Sequence, residues 1–294
     1  MTASAGFHEG ELSVQQRAGV RNLAGRLSGM LEPPDLTGGA RWFLGDRDLA
    51  VLTARDRDGR LWTSPLPGTP GFLDAHDVDD ATLHVHAMPA PGDPLALLPP
   101  GQPVGMLAID FATRRRMRVN GTLATVDDSG FQVAVDQAYG NCPQYIHRRR
   151  LRHSAAPVST DAPATRWHDS LDADLIRLIE GTDTFFLGTV HPTRGADASH
   201  RGGPPGFVRV QGTDLWWPDY PGNNMFNSLG NLAVDDTAAL LFLDFATGAT
   251  LQLSGTAALE WTAPGAPGDD DGTGRRVRFT PRHILTGTAP LRAN

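Results

Sequence analysis

The strongest constraint on this chain is that it repeats itself. Ser64-Pro65-Leu66-Pro67-Gly68-Thr69-Pro70-Gly71-Phe72 lies 135 positions (199 − 64) ahead of Ser199-His200-Arg201-Gly202-Gly203-Pro204-Pro205-Gly206-Phe207. Ile109-Asp110-Phe111-Ala112-Thr113 lies 134 positions (243 − 109) ahead of Leu243-Asp244-Phe245-Ala246-Thr247, and Gly121-Thr122 precedes Gly255-Thr256 by the same distance. Short apolar or alternating runs such as Leu49–Ala54, Leu61–Pro65, Thr82–His86, Val104–Asp110, Arg116–Val126 and Thr184–Val190 read as strands. The 33 glycines and 23 prolines supply turns between them rather than long helices. The expectation is a mainly β chain with short helices, built as two tandem small β-barrels. Such a fusion reproduces a two-fold dimer within one chain, with an interface that was once isologous.

The expected boundaries are a helical extension at 1–39, a first repeat at 40–154, a linker at 155–170 and a second repeat with its C-terminal tail at 171–294. Within these, Leu12, Val14, Val20, Leu23, Leu27 and Met30 predict one packing helix over 8–30, ending near Gly29 and Pro33-Pro34. A short helical piece is expected at Ala40–Phe43, an amphipathic helix at Leu171–Ile179, and a turn leading into a helix over 139–150. Ala155–Thr165, rich in Ala, Pro, Ser and Thr, reads as the linker proper. The acidic, Gly-rich 263–274 reads as a mobile excursion, with Arg275–Phe279 a returning strand.

Composition narrows the function. A formal charge of −7 and a pI near 5.8 argue against a nucleic-acid partner. The single cysteine, Cys142, excludes an intrachain disulfide and any Cys-based zinc site. No basic segment followed by an apolar one opens the chain and no long apolar run occurs, so a cytoplasmic protein that enters no membrane is expected. Gly-x-Ser-x-Gly, Gly-x-Gly-x-x-Gly and phosphate-loop lysine motifs are missing, which removes support for hydrolase, Rossmann and nucleoside-triphosphatase readings.

The differences between matched positions run in opposite directions. The second copy has His200-Arg201-Gly202 where the first has Pro65-Leu66-Pro67, and an Asn/Ser loop, Gly222–Asn231, where the first has Pro89–Leu98, nearly bare of hydrogen-bonding side chains. The first copy in turn has Arg114-Arg115-Arg116-Met117-Arg118-Val119-Asn120 where the second has Gly248-Ala249-Thr250-Leu251-Gln252-Leu253-Ser254. In a two-fold arrangement each site takes one element from each copy. One site then keeps nearly every polar group and the opposite site almost none, giving one anionic-ligand site per chain between the barrels. Arg114, Arg116 and Arg118 share a strand face by the period-two rule, and arginine suits bidentate phosphate contact; the competing reading is a solvated edge strand. The loop offers amide and hydroxyl donors at a helix start, where phosphates are held, although Asn and Ser also cap helices.

These residues resemble the FMN-binding split-barrel proteins related to pyridoxamine 5′-phosphate oxidase. The resemblance covers about 40–150 and 175–262 and rests on Asp197-Ala198-Ser199-His200-Arg201, on Gly222–Asn231 ahead of Ala238–Phe242, and on Tyr139-Gly140-Asn141-Cys142-Pro143-Gln144-Tyr145-Ile146. It implies two split barrels, FMN between them, and an oxidoreductase acting on a small organic substrate, with a flavin or ferredoxin-type reductase as electron donor. The chain would act as a monomeric pseudo-dimer or as a homodimer. Carried over to this sequence, the cofactor contacts fall on Ser199, His200, Arg201, Asn223, Asn224, Asn227, Ser228 and Asn231, joined by Arg116 and Arg118. The chain departs from the family pattern in being fused and in lacking a basic substrate-phosphate set at its C-terminus, which sets it apart from true pyridoxamine phosphate oxidation. A different class of reading is a protein of the same fold that holds flavin or haem without turnover, with His147, His191 or His200 as axial ligand; a third is a colourless scaffold.

On the substrate side the candidates are Tyr139, Asn141, Cys142, Tyr145 and Trp217. Cys142, between Asn141 and Pro143, reads first as an unreactive thiol and second as one activated at a helix start. Trp216-Trp217 either wall a flat ring or fill a barrel end. His84 and His86 share a strand face without a third ligand at matching spacing, so no metal site is expected.

Overall fold

The computed structural model describes residues 6–31, 36–75, 81–153, 165–266 and 269–293. The N-terminal segment folds as α1 (Glu9–Arg17), α2 (Arg21–Gly25), a 3-10 turn (Ser28–Leu31) and α3 (Gly38–Gly45). The first copy follows as β1 (Leu49–Arg55), β2 (Leu61–Pro67), β3 (Leu73–Asp74), β4 (Thr82–Val85), β5 (Pro103–Asp110), β6 (Arg115–Asp127) and β7 (Gly130–Gly140). After β8 (Leu151–His153), β9 (Thr165–His168) and α4 (Ala173–Gly181) comes the second, as β10 (Thr184–His191), β11 (Gly195–Gly202), β12 (Arg209–Gln211), β13 (Asp214–Pro218), α5 (Asn227–Leu232), β14 (Thr237–Leu243), β15 (Ala249–Trp261) and β16 (Arg275–Thr288). The last strand is β17 (Leu291–Ala293).

The duplication appears directly in the topology. The first sheet runs β2-β1-β5-β6-β7-β4-β3 and the second β11-β10-β14-β15-β16-β13-β12, the same order strand for strand, with antiparallel pairing throughout. Register agrees as well: Ile109 pairs with Arg116 and Leu243 with Thr250 at equivalent points. The repeated DFAT text is a turn device. Asp110 Oδ1 accepts the N–H groups of Ala112 and Thr113, and Asp244 Oδ1 those of Ala246 and Thr247.

The two barrels meet reciprocally: β2 packs on β14 and β15, and β11 packs on β5 and β6. Each barrel has its own core, around Leu52, Trp62, Leu83 and Met106 in one and Phe185, Trp217, Phe242 and Phe279 in the other. A third cluster, with Val51, Leu107, Ile109, Phe186 and Leu241, lies between them. Burying such side chains stabilises by about 1.5–3 kcal/mol each, so the interface is a core in its own right. The repeat mates Phe111 and Phe245 touch there, ring centroids 5.2 Å apart and edge to face. Gly105 lets the Asp197 backbone of β11 lie against β5, where a Cβ would overlap it.

Several expectations change. The single helix over 8–30 is broken into α1, α2 and a 3-10 turn, because Gly19 turns the chain with φ +71°. The helix expected within 139–150 does not form. Tyr139 and Gly140 end β7, Tyr145 is left-handed at φ +63°, Ile146 is drawn into the inter-barrel core, and Arg149 covers Phe111 and Phe245 while its Nη2 bonds Asp183 Oδ1 at 2.5 Å. Tertiary packing overrides a local helical pattern there. Of the expected linker, residues 155–164 lie outside the described residues, while Thr165–His168 is a strand that pairs with β16. β8 and β17 pair with each other, so the C-terminal strand returns to the end of the first repeat. The described part of 263–274 is held by Asp269 Oδ2, which accepts the N–H groups of Gly265 and Gly274. Arg114 sits in the turn before β6 at φ +57° and does not share the strand face of Arg116 and Arg118.

Candidate functional site

Where β6 of the first copy faces β11 of the second, Arg116 and Arg118 come within reach of His200 and Arg201. The segment from Trp217 to Leu229 closes one wall and Asn141–Tyr145 the other. Counted out to its open mouth the cleft measures about 840 Å³. The elements come from both halves of the sequence, as the exchange of polar residues between the repeats required.

The floor is a cluster of guanidinium groups. Arg118 Nη1 pairs with Asp197 Oδ1 at 3.0 Å and Arg201 Nη1 with Asp219 Oδ1 at 3.3 Å; Asp219 Oδ2 also accepts Arg275 Nε at 2.9 Å. Arg116 has no carboxylate partner among the described residues. Its Nη1 donates to His200 Nδ1 at 2.9 Å and its Nη2 to the Cys142 carbonyl at 2.9 Å. Burial, with Arg118 and Arg201 close by, pushes this guanidinium down to about 9. Burial, with Arg116, Arg149 and Arg201 close by, holds His200 well below the ordinary imidazole range. A guanidinium only donates, so His200 Nδ1 accepts and Nε2 carries the hydrogen of a neutral ring. Four arginines against two aspartates (4 − 2) leave two positive charges uncompensated in this set.

The unmet hydrogen-bonding groups point the same way. Nε of Arg116, Arg118 and Arg201, Nε1 of Trp217 and Nε2 of His200 are all buried donors without an acceptor, and all belong to residues lining the cleft. Each such donor costs about 1–3 kcal/mol unless something accepts from it. Asn141 Oδ1 is the one unmet acceptor on the same wall. A bound anion rich in oxygen acceptors resolves both the charge and the donors.

The loop is held in strained geometry. Tyr145, Asn224 and Phe226 all have positive φ, at +63°, +62° and +59°, and all line the cleft; for bulky residues this is a conformation worth about 1–3 kcal/mol of strain. The N-terminal helix braces it from behind. Gln15 Nε2 donates to Met225 O at 3.1 Å, Asn227 Nδ2 to Glu11 Oε1 at 2.6 Å, and the missing side chains of Gly10 and Gly230 let α1 lie against α5. Burial pushes the Glu11 carboxyl up to about 7.

Of the residues expected from sequence, Arg116, Arg118, His200, Arg201, Asn223, Asn224, Asn227 and Ser228 line one cleft, with Asn141, Cys142, Tyr145 and Trp217. Ser199, Asn231 and Tyr139 stand behind its wall. Ser199 Oγ donates to Leu187 O and meets Ser228 Oγ at 3.0 Å, while Asn231 Nδ2 donates to Thr189 Oγ1 at 3.0 Å, so both fix α5 to β10 and β11. Tyr139 lies 3.4 Å from Arg118 Nη1, and burial raises its hydroxyl far above the ordinary range. Trp217 packs edge to face on Phe185 at 4.9 Å within the barrel core and is also among the residues lining the cleft, its Nε1 buried without an acceptor. Sequence reasoning missed Asp197 and Asp219, the counter-ions, and Tyr220, which stacks on Tyr145 at 5.1 Å. Asp197 was legible two residues before Ser199 on the same strand face, and Asp219-Tyr220 directly ahead of Pro221-Gly222. It also missed a cluster of His8, Glu9 and His191, whose ligand atoms lie within 4.8 Å of one another. Their ring nitrogens are engaged: His8 Nδ1 accepts Gly10 N–H as a helix cap, its Nε2 meets Asn231, and His191 Nδ1 accepts from Thr193 and Arg194.

No helix among the described residues is long and apolar enough to cross a membrane. None of the curated proteins matches the chain. The pyridoxamine 5′-phosphate oxidase family model matches residues 171–266. Among solved structures, the chain is similar to HupZ of Group A Streptococcus (10% identity, 39% of this chain and 92% of that one, TM-score 0.32). It is similar also to HutZ, the heme storage protein of Vibrio cholerae (10%, 40% and 95%, TM-score 0.31), and to the FAD binding protein of Mycobacterium smegmatis (13%, 40% and 95%, TM-score 0.28). The family match thus falls on the second repeat of a mainly β fold of two tandem antiparallel sheets, and there the chain is similar to the pyridoxamine 5′-phosphate oxidase family.

Proposed function

We propose that this protein is an FMN-dependent oxidoreductase that binds one flavin per chain, in the cleft between the barrels, and acts on a small organic substrate. The observation that carries this reading is the set of unmet buried donors around Arg116, Arg118 and Arg201, with Arg116 lacking a carboxylate partner among the described residues. A phosphate monoester supplies the acceptor oxygens and negative charge that this set lacks, and arginine is the side chain best shaped for it. The arginine-lined part of the cleft would take the phosphate, and the part beside the stacked Tyr145 and Tyr220 a flat ring. FMN, when bound, supplies the hydride or electron transfer. The chain's residues orient it: Asn224 and Asn227 present amides, and the neutral His200 presents an Nε2–H rather than a second cation. A flavin or ferredoxin-type reductase fits as electron donor.

The test is the spectrum of the purified protein followed by titration with FMN. Flavin bands, one equivalent at saturation and oxidation or reduction of a substrate by the bound flavin support the reading. Tight flavin without turnover, or a haem band, replaces it with a carrier of the same fold.

A further inference from the structure

On the far side of the Asn141–Pro143 wall lies a second concavity, about 880 Å³ out to its mouth, that shares Arg116 and Asn141 with the main cleft. Its floor is apolar, with Phe43 and Met117 buried in it and Ala40 and Pro143 at its sides. Its rim is cationic. Arg114 and Arg115 are exposed, and neither has a carboxylate partner among the described residues. The nearby acids are already engaged: Asp110 by its own turn and by Arg47 at 3.2 Å, Asp46 by Arg47 at 2.8 Å. The Arg115 guanidinium lies 5.0 Å over the Phe43 ring, an arrangement that fixes the cation at the lip of the apolar floor.

The repeat shows that the arginine at this turn is not a structural need. Its mate Gly248 makes the same turn at φ +74°, where glycine is at ease, whereas Arg114 adopts φ +57° as an L-residue. The first copy therefore carries a charge at a position where the geometry favours glycine. Strained backbone of this kind accompanies binding sites.

We propose that Arg114 and Arg115, above Phe43 and Met117, form a second binding groove for a small anionic molecule with an apolar body, a carboxylate or a phosphate ester. The concavity selects this occupant over an acidic protein face, since a flat protein surface reaches the arginines but not the floor. The groove stands on its own residues, whether or not the main cleft holds flavin.

The experiment uses the full chain with benzoate as probe and benzamide as its uncharged counterpart, followed by calorimetry, with FMN affinity measured in parallel. Arg114→Gly combined with Arg115→Gln preserves the turn, since glycine already makes it in the second copy. Benzoate is expected to bind at least about tenfold more tightly than benzamide, and the double variant to lose about tenfold or more of benzoate affinity, the worth of one charge-assisted contact, with FMN affinity unchanged. Equal binding of benzoate and benzamide, or benzoate binding indifferent to the double variant, overturns the proposal. So does benzoate competing directly with FMN, which puts the probe in the main cleft, or a variant that slows only an acidic ferredoxin donor, which makes the arginines a protein dock.

Discussion

The two sites that the duplication creates differ in whether their polar groups are satisfied. In the cleft, Arg116 and Arg118 of β6 face Ser228, Asn227 and Arg201 with donors left over. At the opposite, pseudo-equivalent position the mates are Thr250 and Gln252 of β15, Ser64 of β2 and Asp93. There Gln252 Nε2 donates to Thr63 O at 3.1 Å, Ser64 Oγ at 2.9 Å and Asp93 Oδ2 at 3.1 Å, and Asp93 Oδ1 accepts Ser64 Oγ–H at 2.6 Å and Leu95 N–H at 2.8 Å. Polar groups that the sequence comparison expected to be almost absent are thus few but closed on themselves. One of the two matched positions is sealed with its own hydrogen bonds while the other stays open and cationic. Sealing a site stabilises the fold; leaving buried cations unmet stores demand for a ligand.

The sharpest test of that contrast exchanges charge at the two matched strands. Arg116→Gln is expected to weaken FMN by about ten- to hundredfold, the loss of a charged hydrogen bond of about 1.5–3 kcal/mol. Thr250→Ala, at its mate, is expected to leave FMN affinity within about twofold. Equal losses would show that both sites bind. Leu66, the repeat mate of Arg201, does not serve as such a control, because it is fully buried in the first barrel core and its truncation acts on folding.

The reverse contrast is read in stability without ligand. Asp93→Ala removes the acceptor of three buried donors and is expected to destabilise by about 1–3 kcal/mol with FMN affinity intact. Arg116→Gln is expected to leave the melting temperature unchanged or higher, since it removes a largely desolvated cation that has no carboxylate partner among the described residues. A large drop from Arg116→Gln in thermal melts would mean that the open site is as structural as the sealed one.

Most of this architecture was legible in the sequence because a repeat converts one-dimensional text into pairs of equivalent positions. The strands, the DFAT turns and the convergence of Arg116 and Arg118 with the 223–228 loop follow from it. What was not legible depends on long-range packing. Tyr145 and Ile146 sit in a stretch with helical text, yet the inter-barrel core takes Ile146 and the cleft takes Tyr145. Asn231 and Ser199 carry side chains suited to phosphate, but partners from β10 and α5 claim them first. Asp93 lay unremarked in a Pro/Leu segment, because its importance comes from Gln252, 159 residues away.

The helix brace behind the open site has no counterpart behind the sealed one in the described packing, and pH separates the two. Glu11 caps α1 through the His8 N–H and holds Asn227. Its carboxyl is raised from 4.5 to about 7, so the stability it contributes is fully present below pH 4.5 and is lost as pH rises through 7. His8 runs the other way: lowered from 6.5 to about 4, chiefly by burial, it contributes stability above pH 6.5 that is lost as pH falls through 4. Glu11→Gln is expected to flatten the fall in stability between pH 5 and 7, a change of about 1–2 kcal/mol, and to leave the His8 limb in place. Denaturant melts at several pH values check this, and an unchanged slope in the variant would remove Glu11 as its source.

The smallest expected effect concerns the DFAT turn, whose two copies carry different residues at the left-handed corner, glycine in the second copy, where Arg292 and the Ala289 carbonyl pack against it, and arginine in the first. Asp110 and Asp244 close their turns with the same N–H acceptor pattern, and the corner is Arg114 in one and Gly248 in the other, at φ +57° and +74°. An L-residue there is strained by about 1–2 kcal/mol, and glycine's greater freedom in the unfolded chain returns part of that difference. Arg114→Gly alone is therefore expected to stabilise the protein by about 1 kcal/mol or less, a small upward shift in melting temperature without ligand. The sign is what matters. A stabilised variant means that the arginine is kept against the preference of the fold. A destabilised one means that Arg114 is held in its turn by contacts of its own, and the matched turns would then differ in structure as well as in charge.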